Sequence, residues 1–183
     1  MMKVGEVKMK RKVNVIEDLD GKKTVFIHDI LFKGKRAVKW DEVEKYLRQY
    51  VGDICTIDDS NEVIYIGADL PDEYAHSNYT HILKGANAKA KANAAQAIGE
   101  LIRTATNKSM SEDHENKHGT RAQNGWYRYD VRFGIPVYDQ NEDLERYNIY
   151  TAKMLVRHDA DGKLYLYDII RTKKETSTPP GLL

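Results

Sequence analysis

In Tyr127-Arg128-Tyr129-Asp130-Val131-Arg132-Phe133 apolar and charged residues alternate strictly, and this pattern is the strongest indication of the fold class. A period of two is typical of a strand in an antiparallel sheet with one buried face. The charged face carries two guanidiniums around one carboxylate, and each guanidinium is a planar fork of donors suited to phosphate. This face is therefore either a solvated surface with cross-strand ion pairs or a floor for a phosphodiester or another anion.

Two further strands follow this stretch and predict an antiparallel meander. The three strands are expected at Gly125–Tyr138, Arg146–His158 and Lys163–Arg171, with turn residues between them. In the second strand the core face is predicted to consist of Tyr150, Ala152, Met154 and Val156. Lys153 and Arg157 would then lie on the same side as Arg128 and Arg132, which gathers four cations on one sheet face.

The N-terminal third predicts two hairpins around a helix. The first hairpin pairs Val13–Glu17 with Thr24–Phe32 across an Asp-Gly turn. A helix begins at Trp40, carries Trp40, Val43, Leu47 and Val51 on one face and ends at Gly52. The second hairpin pairs residues 53–57 with residues 62–67. Whether the first hairpin joins the main sheet or forms an appendage is left open.

An alanine-rich segment from Lys84 to about Thr106 predicts the longest helix, because alanine has the highest helix propensity. Its buried stripe is expected to consist of Ala90, Ala94, Ala97, Ile98, Leu101 and Ala105. The residues expected to face water are Lys89, Gln96, Glu100 and Arg103. Lys84 and Lys91 recur beside the stripe without a nearby acid, which suits either ordinary helix solubility or phosphate binding.

These elements predict an α+β fold with N-terminal hairpins and a helix, a long alanine-rich helix, and a C-terminal antiparallel meander packed on the helices. We expect a basic lead-in at residues 1–12 and a single domain at 13–178. Within it, residues 13–67 form the hairpin–helix–hairpin part and residues 68–178 the helix and sheet part. Residues 179–183 are expected to form a flexible tail after Pro179-Pro180.

Composition excludes several classes of function. The chain has 29 Lys and Arg against 28 Asp and Glu, so a nucleic-acid site must be a local patch. No apolar run approaches the roughly 20 residues of a membrane helix, and no signal peptide is expected. Cys55 is the only cysteine, which rules out an internal disulfide and a cysteine-based zinc site. The chain is therefore expected in the cytoplasm, with no membrane contact and no cofactor.

The histidines offer candidate acids and bases. His114 and His118 lie four residues apart within residues 107–125, a segment predicted to be a short helix or a loop. They lack an evident third ligand, so no metal site is predicted there. His118 instead suits proton transfer, since nearby cations favour neutral imidazole. His81 precedes the basic helix, where amide dipoles favour an anion, although it also suits a helix-start residue with no chemical role.

Several motifs resemble a domain of large polyvalent proteins carried by phages and conjugative elements. They are Tyr65–Tyr74 (Tyr-Ile-Gly-Ala-Asp-Leu-Pro-Asp-Glu-Tyr), Leu83–Asn93, Gly125–Asp130, and Leu164–Ile169 with Lys173–Thr176. The resemblance runs from about Ile30 to Thr178. The order of helices followed by a basic antiparallel sheet also resembles the barnase–EndoU–colicin–RelE nuclease superfamily. Phage versions of that fold occur in the same kinds of protein.

The second resemblance implies a metal-independent ribonuclease, which needs an acid, a base and cations around the phosphate. The implied catalytic residues are His81, His118, Arg132 and Thr176. The implied phosphate-binding residues are Lys84, Lys91, Arg128, Lys153 and Arg157. Whether the chain is an enzyme stays open.

The expected partner is a nucleic acid, and RNA is preferred over DNA. The alternative is a non-catalytic accessory domain of a phage or conjugative polyvalent protein, which binds nucleic acid or an acidic protein through the same face. The sequence does not determine the oligomeric state, and it leaves open whether the chain is part of a larger polyvalent protein.

Overall fold

The computed structural model describes residues 12–111 and 124–180 of the chain. The strands are β1 Val13–Glu17, β2 Lys23–Ile27, β3 Ile54–Thr56, β4 Val63–Tyr65, β5 Thr106–Ser111, β6 Trp126–Tyr138, β7 Leu144–His158 and β8 Leu164–Thr178. The α-helices are α1 Trp40–Leu47, α2 Leu70–His76, α3 Asn78–His81, α4 Gly85–Ala94 and α5 Ile98–Thr104. The strands form one mixed sheet in the order β1-β2-β6-β7-β8-β4-β3, and β5 also pairs with β6. The predicted α+β fold is confirmed.

The predicted meander forms the centre of the sheet. β6 pairs antiparallel with β7, and β7 pairs antiparallel with β8. β8 continues to Thr178, beyond the predicted end at Arg171, and Arg171 adopts a positive φ of 57°. Pro136 lies inside β6, within the predicted range Gly125–Tyr138. It is tolerated because no described strand pairs with the other edge of β6 beyond Gly134.

Both N-terminal hairpins belong to this sheet and extend it at opposite sides. β2 pairs parallel with β6 through Val25 and Phe133, and β4 pairs parallel with β8 through Ile64 and Leu164. Parallel pairs require a crossover connection, and the helices between residues 28 and 105 supply the chain length for it. The sequence predicted both hairpins, although β2 ends at Ile27 and not at Phe32. It did not predict these long-range parallel pairs.

The alanine-rich segment is helical but not one continuous α-helix. A 3₁₀ turn at Ala95–Ala97 separates α4 from α5. The predicted alanine and leucine stripe is buried throughout. The prediction that Gln96 faces water is wrong, because Gln96 is 7% exposed and its Nε2 donates to the Asp29 carbonyl at 2.9 Å. The tighter turn rotates Gln96 toward the segment that follows β2.

Residues 106–111 form strand β5, so the predicted helix or loop is wrong for this part. β5 pairs antiparallel with the first half of β6, where Thr106 lies opposite Asp130 and Ser111 opposite Trp126. This edge of β6 is open because β2 pairs only near Phe133. His114 and His118 lie outside the described residues.

The main core lies between the helices and the sheet. It includes Tyr129, Val131 and Phe133 of β6, as the alternation predicted, and the small side chains of α4. The predicted core face of β7 is also buried. None of the described helices has the length and apolar character that a membrane span requires.

Candidate functional site

The charged face of β6 continues across β7 and β8 as a polar band. Directly opposite residues on antiparallel strands share a face, and Asp130 pairs with Lys153, Arg132 with Thr151, and Thr151 with Lys173. We define the polar band as Arg128, Asp130, Arg132, Thr151, Lys153, Lys173 and Glu175. It contains four cations and two carboxylates, so a local positive surface exists on a chain that is almost neutral.

Two of the cations have partners within the band. Lys153 forms an ion pair with Asp130, whose other carboxylate oxygen accepts from Asn107 at 2.9 Å. Burial raises the pKa of Asp130, but the hydrogen bonds from Lys153 and Asn107 outweigh burial and hold the pKa below its usual value. Arg132 is 3.3 Å from Glu175 and donates to the Thr24 hydroxyl at 2.5 Å. Because both ion pairs are partly exposed to solvent, each contributes little free energy.

Arg128 differs from its neighbours in the band. Its side chain is half-buried, and its Nε is buried without a hydrogen-bond acceptor in the described part of the chain. Arg128 also makes no ion pair with any residue in 12–111 or 124–180. Ser109 lies opposite Arg128 on β5, and Leu155 lies opposite it on β7. The band thus contains one guanidinium whose Nε has no acceptor among the described residues.

Arg157 does not contribute to the band. It lies opposite Trp126 near the end of β7, its side chain is 6% exposed, and it pairs with both Asp69 and Asp159. Its guanidinium also stacks over the Tyr165 ring, 5.0 Å from the centroid. Burial lowers the pKa of Arg157, but the two carboxylates outweigh burial and raise it. The prediction that Arg157 would be available to phosphate is wrong, because two carboxylates already occupy it.

Lys91 also departs from its predicted position. It is fully buried, and its Nζ donates to Asp168 Oδ1 at 2.7 Å and to the Thr80 hydroxyl at 2.6 Å. Asp168 in turn accepts from the Ser77 hydroxyl at 2.7 Å. Lys91 therefore joins α4 to α3 and β8 inside the protein. The prediction of a solvent-exposed phosphate ligand is wrong, since no ligand in solvent reaches this ammonium.

Burial has the largest effect on the pKa values of Lys91 and Asp168. It lowers the pKa of Lys91 although Asp168 opposes the shift, and it raises the pKa of Asp168 although Lys91 and Ser77 oppose the shift. The structure thus identifies Asp168 as the partner that sequence reasoning missed. In the sequence, the indication of a buried carboxylate was that Asp168 directly follows Leu164-Tyr165-Leu166-Tyr167.

The remaining candidates lie in different parts of the structure. His81 is the exposed last residue of α3, and exposed Lys84 immediately precedes α4. Thr176 is exposed on β8 opposite Ile149. Arg128, Arg132 and Lys153 are the predicted site residues that the structure places together on the band, while predicted catalytic His118 falls outside the described residues.

The structure also joins residues that the sequence did not connect. His76 at the end of α2 lies within 3.2 Å of Glu44 and 3.1 Å of Asp41 on α1. Asp41 and Glu44 are three residues apart on a helix, but nothing in the sequence relates them to His76. Only the packing of α1 against α2 brings the three together.

Comparisons with models of known families, with curated proteins and with solved structures found no match to this chain. The functional argument therefore depends on the polar band and the chemistry of its side chains.

Proposed function

We propose that the polar band binds the phosphate groups of a nucleic acid, with RNA as the preferred partner. The observation that carries this proposal is Arg128, whose half-buried guanidinium makes no ion pair with a described residue and shares the band with Arg132 and Lys153. The Nε is buried, so a phosphate oxygen would accept from the terminal nitrogens of this guanidinium.

The spacing of the cations favours a polymer over a single phosphate ion. Arg128 and Arg132 lie four residues apart on one strand, which corresponds to about 13–14 Å at about 3.4 Å per residue. At that backbone separation the two guanidiniums suit two different phosphates of one nucleic-acid strand better than a single phosphate ion. Lys153 lies between them on β7, opposite Asp130. The row of cations thus follows β6 and suits an extended polyanion.

The choice of RNA and the biological setting rest on the resemblance to nuclease-like domains of polyvalent proteins. In this proposal the chain is an accessory domain of a mobile genetic element and acts in the cytoplasm of its bacterial host. An acidic protein is the competing partner, and salt dependence alone does not separate the two polyanions. A direct comparison between RNA and an acidic polypeptide does.

RNA cleavage is a second candidate function, which rests on the resemblance to nuclease-like domains and on the guanidiniums of Arg128 and Arg132 on the band. His118 itself lies outside the described residues. In this candidate, His118 acts as acid or base and the guanidiniums stabilise the phosphate.

The binding test measures affinity for a labelled single-stranded RNA at several salt concentrations. We expect Arg128→Ala to weaken binding about tenfold and to reduce the salt slope by about one unit. Lys89→Ala is the matched control, because Lys89 is a half-exposed cation on α4 away from the band. Equal effects of the two substitutions, or equal binding of polyglutamate, would contradict the proposal.

The cleavage test incubates the same RNA with the protein in EDTA. Products that end in 2′,3′-cyclic phosphate, and that disappear in His118→Ala, would support the second candidate. RNA that is bound but stays intact would restrict the function to binding.

A further inference from the structure

A second cluster of ionisable groups lies away from the polar band, where α1 packs against α2. His76 Nε2 is 3.1 Å from Asp41 Oδ1 and 3.2 Å from Glu44 Oε1. We propose that these three side chains form a binding site for a divalent transition metal ion, with Zn²⁺ as the ion that best fits the donor set. This site is independent of RNA binding, since it shares no residue with the band.

The separation of the ligand atoms suits zinc. All three lie within 4.8 Å of one another. In a tetrahedral site with zinc–ligand distances of about 2.0–2.1 Å, neighbouring ligand atoms are about 3.3–3.4 Å apart. Both distances from His76 are close to that value. Asp41 has a side chain that is 95% exposed, so it can adjust around an ion.

The donor set also discriminates among metal ions. Ca²⁺ and Mg²⁺ prefer oxygen ligands only, whereas imidazole suits zinc and other transition metals. One imidazole and two carboxylates supply three ligands and leave the fourth position of a tetrahedron to water. The same three groups form an ion pair when the imidazole is protonated, and zinc binding would replace that proton.

The surrounding structure holds two of the ligands in position. Glu44 is 19% exposed, and Arg48 lies 3.3 Å from its Oε2, which leaves Oε1 directed toward His76. Burial of Val43 and Leu47 fixes α1 on the core. His76 ends α2, which packs along α1. A site built from packed helices keeps its geometry better than one on loops.

The test is calorimetric titration of the metal-stripped chain with zinc, followed by thermal unfolding with and without the ion. We expect one zinc ion at this site and a rise in Tm. His76→Gln and Asp41→Asn should each weaken binding by at least about tenfold and reduce the rise in Tm. Asp41→Asn alters an exposed side chain, so it tests the site even if His76→Gln fails to fold.

Two control variants separate this site from other sources of affinity. Glu42→Gln removes an exposed carboxylate from the same helix turn and should leave zinc binding unchanged. His118→Ala removes a histidine that could bind zinc with His114, and it should also leave this site intact. Zinc binding by His76→Gln and Asp41→Asn at wild-type strength would overturn the proposal, as would equal stabilisation by Mg²⁺.

Discussion

At the scale of single residues, Lys91 shows how an ordinary sequence position becomes an unusual structural one. In sequence it lies among other lysines on an alanine-rich helix, but in the structure it is buried with Asp168 and the hydroxyl of Thr80. The Tyr74 hydroxyl donates to the Lys91 carbonyl, and the Lys91 ammonium lies 4.7 Å from the centre of the Tyr74 ring. The burial of a charge is possible here because the hydrogen-bond partners are already in place.

We predict that Asp168→Ala lowers the free energy of unfolding by about 3–5 kcal/mol, because it leaves the buried ammonium of Lys91 without its counter-charge. Urea denaturation followed by circular dichroism measures this change. Lys89→Ala, which replaces a lysine two residues from Lys91, should change the free energy of unfolding by no more than about 0.5 kcal/mol. The double substitution Lys91→Met with Asp168→Leu should be less destabilising than Asp168→Ala, since it removes both charges together. A loss below about 1 kcal/mol in Asp168→Ala would contradict the assigned role.

At the scale of elements, the contact between β2 and β6 depends on a glycine. Gly134 lies opposite Phe26 in the parallel pair. A Cβ at Gly134 would lie 2.8 Å from Phe26 Cδ1 and 3.2 Å from Ile149 Cδ1. The Phe26 ring also packs edge-on against Tyr147 at 5.1 Å. Glycine is therefore required because the aromatic ring occupies the space of a side chain.

Gly134→Ala should lower the free energy of unfolding by about 1–3 kcal/mol, because the added methyl group overpacks the junction between the N-terminal hairpin and the meander. Thermal and urea unfolding measure the change. Gly99→Ala is the matched control: its Cβ would meet only Arg103 Nη1 at 3.6 Å, within helix α5. That control should be stabilising by up to about 1 kcal/mol, since alanine favours helix. Similar destabilisation by both substitutions would count against the steric explanation.

At the scale of the whole molecule, two carboxylates with lowered pKa values connect elements that are distant in sequence. Glu62, in the turn between β3 and β4, accepts from Lys108 on β5 and from Tyr129 on β6. Burial raises the pKa of Glu62, but the hydrogen bonds from Lys108, Ser60 and Tyr129 outweigh burial and lower it. The pKa of Asp130 is also lowered, because the hydrogen bond from Lys153 helps to outweigh the effect of burial.

These shifts predict loss of stability in acid. A carboxylate with a lowered pKa in the folded state stabilises that state above its unfolded pKa of about 4, and this contribution disappears as the pH falls through the folded value. The contribution of Asp168 to the pH dependence of stability has the opposite sign, because its raised pKa means that the folded state binds its proton more readily. We therefore expect Glu62→Gln to be less stable than wild type at neutral pH, with a difference that shrinks below about pH 4.

Urea unfolding at neutral and acid pH tests this expectation. Glu42→Gln serves as the control, because Glu42 is an exposed residue on α1. Its stability should follow that of wild type at every pH. A stability difference for Glu62→Gln that stays constant with pH would contradict the proposed role of the carboxylate.

The α+β class, the two hairpins, the buried alanine stripe and the alternating faces of β6 and β7 were all predictable from the amino-acid sequence. These features depend on local periodicity and turn residues, which lie close together along the chain. The same periodicity correctly placed Arg128, Arg132 and Lys153 on one face.

Which cations are already paired with carboxylates became evident from the packing of distant segments. Arg157 and Lys91 are occupied by Asp69, Asp159 and Asp168, at sequence separations that no local pattern relates. The sequence likewise did not predict that β2 pairs parallel with β6 and β4 with β8. It also did not predict that His76 contacts α1. The physical reason is that burial and charge pairing depend on which distant segments pack together, whereas periodicity reports only the nearest turn or strand.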